Sequence, residues 1–248
     1  MELEFFQLTS AGDRTVNQDY MAHIVNNDYG LFIVADGLGG HQAGEKASQF
    51  FCQSMLQCAK TYSKKMPQNP GDVLSDWIDD AIDHMKILFA GDETACKAYT
   101  TCAILYLDKD RTLTAHCGDS RVYRMNPHEI LWRTRDHSIP QDLLEAGLIT
   151  EPELASHPDQ NQLTRSINVN KLHPVDVQAF PRIKKDETFL LCSDGFWENV
   201  RPSEILQLAD LKSNKEKLAK LGRLSVYRAM GRSDNVTVLA VRCRQSSN

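Results

Sequence analysis

Apolar residues fall along this chain in two rhythms: short runs bounded by turn formers, and longer stretches that repeat at helical spacing. The runs LEFFQL, YMAHIV and LFIVA predict strands near the N-terminus. From 43 to 62, Ala43, Ala47, Phe50, Phe51 and Cys58 recur on one side of a predicted helix. A second helix is expected from Pro70-Gly71-Asp72, because proline fits a first helical turn. Its stripe of Val73, Trp77, Ile78, Ala81, Met85, Leu88 and Phe89 predicts a core face. Strand-like runs return as AYTTCAILYL, TLTAHC, RVYRM and EILWRT, with turn formers at Asp108-Lys109-Asp110 and Asn126-Pro127. This stretch reads as a meander of antiparallel strands. Residues 137 to 165 are polar, proline-punctuated and only briefly helical, which predicts an exposed excursion, a lid or flap. Strands are expected again at VDVQAF and ETFLLCS, helix over about 203 to 230, and a closing strand at NVTVLAVRC. Strands, helices and strands without regular alternation predict an α+β fold of layered sheets rather than a doubly wound parallel sheet.

Composition narrows the function classes. At 248 residues with 42% apolar content the chain can bury a substantial core. Its net charge of -5, with basic residues dispersed, argues against nucleic acid or a membrane surface as partner. No run approaches the ~20 apolar residues of a membrane span, and the acidic N-terminus does not resemble a secretion signal. The seven cysteines show no CxxC spacing, and Cys52, Cys102 and Cys192 sit inside apolar runs as small hydrophobes. A reducing, cytoplasmic setting is expected.

The chemistry is concentrated where apolar runs stop. LFIVADGLGG, LTAHCGDSRV and TFLLCSDGFW each end on an aspartate among small residues: Asp36, Asp119 and Asp194. A buried strand that ends this way delivers a carboxylate to the sheet edge, where the backbone bends tightly. Asp234, in GRSDNVTVLAV, stands at the start of a strand instead. Carboxylates converging from distant segments repel one another unless a cation holds them, and oxygen-only ligands suit magnesium or manganese better than zinc. In GDRTVNQDY, Arg14 precedes Asp19 by five positions. A guanidinium beside such a cluster suits a phosphate, which it can grip with a planar fork of donors.

Seven segments in order, GDRTVNQD, VADGLGGHQAGE, YTTCAILYL, GDSRVYR, the stretch from DHSIPQ to QLTRSI, LLCSDGFWENV and SDNVTVLAV, resemble the metal-dependent protein Ser/Thr phosphatases of type 2C in their short bacterial form. The resemblance runs nearly end to end. It implies a four-layer α-β-β-α sandwich, two antiparallel sheets flanked by helices, with residues 1–248 as a single catalytic domain and a flap at about 137–166. By position, it implies that Asp36 bridges two Mn²⁺ or Mg²⁺ ions, that Gly37 offers its carbonyl to one, and that Asp194 and Asp234 complete the other. Asp119 with Asp194 would hold a third, weaker ion, Asp19 would hold metal-bound water, and Arg14 would bind phosphate. The implied reaction is hydrolysis of phosphoserine or phosphothreonine in proteins by direct attack of a metal-bound water, in opposition to a bacterial Ser/Thr kinase.

The chain departs from the family at three places. Gln18 stands where glutamate is usual, removing a charge near the metals. Leu38 replaces the histidine that follows the Asp-Gly pair in many eukaryotic members; His41, three residues on, would either protonate the leaving oxygen or anchor the loop, with anchoring favoured. Ser166-Ile167-Asn168 replaces an alanine-leucine-glycine run at the base of the flap. His116 and His137 show no paired metal spacing and read as structural. Each aspartate taken singly is most often a turn former, and Asp119 in GDSR could cap a tight turn between paired strands. Two alternatives remain open from sequence: a pseudophosphatase that binds phosphoproteins without turnover, and a binuclear hydrolase of another phosphoester.

Overall fold

A computed structural model describes residues 2–38, 43–92, 97–170, 174–210 and 212–243. Strands β1 (Leu3–Ser10), β2 (Tyr20–Val25), β3 (Tyr29–Ala35) and the two-residue β4 (Gly37–Leu38) lead into helices α1 (Ala43–Lys65) and α2 (Pro70–Leu88). Then come β5 (Tyr99–Thr100), β6 (Cys102–Asp108), β7 (Arg111–Cys117), β8 (Arg121–Met125) and β9 (Ile130–Arg133). Short helices α3 (Ile139–Glu145) and α4 (Glu151–Leu154) precede β10 (Asp176–Pro181) and β11 (Thr188–Cys192). The chain continues through α5 (Asp194–Trp197), α6 (Pro202–Ile205), a 3₁₀ turn at Leu206–Ala209, α7 (Lys215–Arg228) and β12 (Val236–Cys243).

Two five-stranded antiparallel sheets form, in the orders β1-β12-β11-β8-β9 and β10-β7-β6-β3-β2. Alternation along β3 explains the layering. Phe32 and Val34 point between the sheets, where they join Leu105, Phe189, Leu191, Leu239 and Val241. Leu31 and Ile33 point the other way, onto Phe51, Met55, Trp77 and Ile78 of α1 and α2. Leu190, Cys192, Val238 and Ala240 likewise turn outward onto Phe196, Leu218 and Leu221. Both faces of the central strands are therefore covered, which is why they read as unbroken apolar runs rather than half-polar ones. Each fully buried Phe, Leu or Ile contributes roughly 1.5–3 kcal/mol relative to exposure. The result is the expected α-β-β-α sandwich.

The meander expectation needs one correction. β6 and β7 pair as a hairpin whose turn is held by Asp108 Oδ1, the acceptor for the N–H groups of Asp110 and Arg111. β7 and β8, however, lie in different sheets. Gly118-Asp119-Ser120 carries the chain across the sandwich, and Gly118 does so at φ +97, with Thr101 packed where a Cβ would stand. Asp119 is thus not the cap of a turn between paired strands. The helical region after 202 is also broken in two, with Asn214 accepting from the Lys217 N–H to start α7 afresh.

Candidate metal centre

The β-sandwich brings its acidic strand ends to one edge. Asp36 leaves β3 with its N–H on Thr101 Oγ1 (3.0 Å), while its carbonyl accepts from the Thr101 N–H (2.8 Å) and the Thr100 hydroxyl (2.9 Å). The next residue must be glycine: a Cβ on Gly37 would lie 2.1 Å from the Gly44 carbonyl at the start of α1. Asp194 opens α5 and accepts from the Gly195 N–H at 2.6 Å. Asp19, just before β2, has its Oδ2 fixed by the Ser193 hydroxyl at 2.7 Å, whereas its buried Oδ1 has no hydrogen-bond partner among the described residues. Asp119 is pinned through its carbonyl by the Trp197 indole N–H at 2.9 Å. Asp234 stands at the rim, where Arg14 Nη2 donates to its Oδ2 at 2.8 Å.

Electrostatics tie these groups into one centre. Burial, then the charges of Asp19, Asp119 and Asp234, push Asp36 well above the usual carboxylate range. Asp194 is raised in the same way, by burial first and then by Asp36, Glu198, Asp119 and Asp234. Burial pushes Asp19 up to about 6 and Asp119 up to about 7. Buried like charges raising one another in this way are the signature of a site built around positive charge that the side chains do not supply. The donors are all oxygen, and an unpartnered buried carboxylate oxygen faces the cluster, so the residues present fit hard divalent cations.

Two further residues belong to this centre. Asn235 accepts from the Gln18 N–H at 2.7 Å and donates to the carbonyls of Ala11 and Val16, which fastens the Arg14–Asp19 loop to the start of β12. Its position beside Asp234 was the one hint in the sequence. Glu198, four residues past Asp194, is pushed up to about 8 by burial and by Asp119, and its Oε1 has no hydrogen-bond partner among the described residues. Gln160 of the flap is near enough to oppose that rise. His41 lies outside the described residues.

The flap is clasped at its root. His137 N–H donates to Gly118 O and Thr164 N–H to His137 O, while Ile167 exchanges backbone hydrogen bonds with Thr100, next to Asp36's own partners. His116, His137 and Asp176 gather their ligand atoms within 4.8 Å, closer than any trio of the acidic centre among the described residues. The hydrogen bonds argue against a cation there. The Gly118 N–H points at His137 Nδ1 (3.2 Å), which keeps the ring proton on Nε2, the nitrogen facing Asp176 Oδ2 (3.2 Å). Arg165 takes the other carboxylate oxygen at 2.8 Å, and His116 Nε2 donates to Arg135 O at 2.6 Å. Burial holds His137 down to about 4, so both rings stay neutral and structural, as the sequence suggested.

Comparison with known proteins agrees with this geometry. The family model for protein phosphatase 2C matches residues 9–224. The serine/threonine phosphatase stp of Listeria welshimeri is 30% identical over 217 residues, covering 85% of this chain and 83% of its own. The protein phosphatase PhpP of Streptococcus pneumoniae is 30% identical over 246 residues, covering 96% and 97%. The fold matches that of the Mycobacterium tuberculosis serine/threonine phosphatase PstP/Ppp with a TM-score of 0.83 at 24% identity, over 99% of this chain and 100% of that one. A buried acidic edge on a two-sheet sandwich and a family match across most of the length lead to one conclusion: this chain belongs to the protein phosphatase 2C family of metal-dependent protein serine/threonine phosphatases.

Proposed function

We propose that the acidic centre would hold two Mn²⁺ or Mg²⁺ ions through Asp36, the Gly37 carbonyl, Asp194 and Asp234. Asp119 and Asp194, with Glu198 beside them, would hold a third and weaker ion. Residues 1–248 act as one catalytic domain with a flap at 137–166, in the cytoplasm, on phosphoproteins made by an opposing Ser/Thr kinase. The observation that carries this reading is the convergence of Asp19, Asp36, Asp119 and Asp194 into one buried cluster that raises its own pKa values.

Bound divalent ions supply Lewis-acid chemistry: they neutralise phosphoryl charge and bring the pKa of water down towards ~7. The rest is done by the chain. Arg14, largely exposed beside Asp234, binds and orients the phosphoryl oxygens through its planar fork. Asp19, locked through Oδ2 by Ser193, offers Oδ1 to accept a hydrogen bond from the attacking water and hold it in line. No side-chain nucleophile is needed. Burial raises the Cys192 thiol far above neutrality, which keeps it protonated and fits a packing role, and the Ser193 hydroxyl is committed to Asp19.

Hydrolysis of p-nitrophenyl phosphate should stop on chelation and return with manganese; turnover that survives chelation defeats the proposal. A phosphothreonine peptide should be preferred over bis-p-nitrophenyl phosphate, and the reverse preference would indicate a different phosphoester as substrate.

A further inference from the structure

An apolar crevice of about 920 Å³ opens beside the acidic centre, between the flap and the segment that follows Asp194. Trp132, Pro152 and Ala155 give it accessible apolar lining, with the buried Leu154, Val200 and Ile205 also touching it. Two of its lining residues connect it to the acidic centre. Trp197 lines it while its indole N–H holds the Asp119 carbonyl, and Glu198 lines it while its charge acts on Asp119 and Asp194. A volume of this size and an apolar lining are those of a binding cleft, not of a packing defect.

Its charges indicate what fits. Four arginines and two glutamates line the crevice, a basic excess on a chain whose net charge is -5. Three of the arginines are spoken for: Arg121 by Asp136, Arg133 by Glu151 and Arg228 by Glu204. Arg201 is exposed and closes no ion pair among the described residues, since the Glu204 carboxylate within its electrostatic reach is taken by Arg228. Apolar walls with one available guanidinium, next to a phosphate-binding centre, suit an extended segment bearing an apolar side chain and an adjacent carboxylate.

We propose that this crevice docks the stretch of a phosphoprotein substrate that flanks its phosphorylated residue, an apolar side chain packing on Trp132 and Ala155 and an acidic one pairing with Arg201. The inference rests on the phosphatase reading above. It makes Arg201 and Ala155 determinants of specificity that act on binding of the flank, not on the reacting phosphate.

The test uses the whole manganese-loaded chain with p-nitrophenyl phosphate and three phosphothreonine peptides: Leu-Glu after the phosphothreonine, Leu-Glu before it, and Ala-Gln on both sides. One Leu-Glu peptide should exceed the Ala-Gln control in kcat/KM by about 10-fold or more, through KM. Arg201→Glu and Ala155→Phe should each remove that preference while leaving p-nitrophenyl phosphate turnover unchanged. If all three peptides are hydrolysed alike, or if the variants keep the preference, the docking role is wrong. If the variants lose p-nitrophenyl phosphate turnover as well, the crevice supports the centre and does not read the flank, which also overturns the proposal. Failure of the unmodified chain to hydrolyse p-nitrophenyl phosphate with manganese would instead count against the phosphatase reading.

Discussion

Two buried charged clusters lie within one sandwich edge of each other and are built on opposite principles. In the acidic centre burial raises Asp36, Asp119 and Asp194, the charge of Asp119 adds to the shift of the other two, and no arginine or lysine forms an ion pair with Asp36, Asp119 or Asp194 among the described residues. At the root of β8, Arg121 grips Asp136 through two nitrogens at 2.8 and 2.5 Å, donates to the Tyr123 hydroxyl at 3.0 Å, and lies 3.3 Å over the Trp197 ring. Every charge there has its partner. A compensated cluster fixes a structure, whereas an uncompensated one stores repulsion that only a ligand can relieve. Gly118-Asp119-Ser120-Arg121 passes from one cluster into the other, so a single tetrapeptide contributes to both.

The largest expected effect separates the two directly. Asp194→Asn or Asp36→Asn should lower kcat by on the order of 10³ or more, since the charge-stabilising groups of the centre act together. The same variants should unfold at a higher temperature than the parent in chelator, because each removes a repelling charge. A variant that lost activity and stability together would mean that these carboxylates hold the fold.

The compensated cluster should respond in the opposite way. Asp136→Asn leaves the buried guanidinium of Arg121 without its counter-charge and should cost about 3–5 kcal/mol in urea unfolding. Loss below ~1 kcal/mol would place the pair in solvent-like surroundings and dissolve the contrast.

Proton linkage gives a third handle. Asp19 and Asp119 are raised from the usual 3.8 to about 6 and about 7. The folded chain therefore holds more protons than the unfolded one from about pH 4 to about pH 7, and stability in chelator should fall as pH rises through that window. The slope is about 1.4 kcal/mol per pH unit for each extra proton held. Saturating manganese should flatten or reverse it, because cation ligands must be ionised. Unfolding curves at several pH values, with chelator and with manganese, give both slopes, and a rising slope in chelator would contradict the assigned burial.

How much of this was legible beforehand follows from what one-dimensional patterns contain. Strand alternation and the stripe on α2 are local, so LFIVA, TFLLC and the helix from Pro70 were readable. The placement of β7 and β8 in different sheets was not, since Gly-Asp-Ser between two strands looks the same whether the chain turns back or crosses over. The aspartates stood out because they interrupt apolar runs. Asn235 and Glu198 did not, because their importance lies in contacts reaching from Asn235 to Ala11, Val16 and Gln18 and from Glu198 to Asp119, across distances in sequence that no spacing rule spans.

At the rim of the acidic centre the contrast softens, and the expected effects shrink with exposure. Arg14→Ala should raise KM for p-nitrophenyl phosphate by about 10-fold with kcat little changed, the mark of a group that binds ground and transition states alike. A fall in kcat alone would assign Arg14 to the chemical step.

Smallest of all should be the flap root. Asp176 is half-exposed and holds Arg165 at 2.8 Å and His137 at 3.2 Å, so Asp176→Asn loses a screened ion pair while the amide oxygen can still accept from His137 Nε2. The cost should stay within about 1 kcal/mol, and activity should hold. A larger loss would mean that Asp176 does for the flap what Asp136 does for Arg121, and that the root of the flap belongs with the compensated core after all.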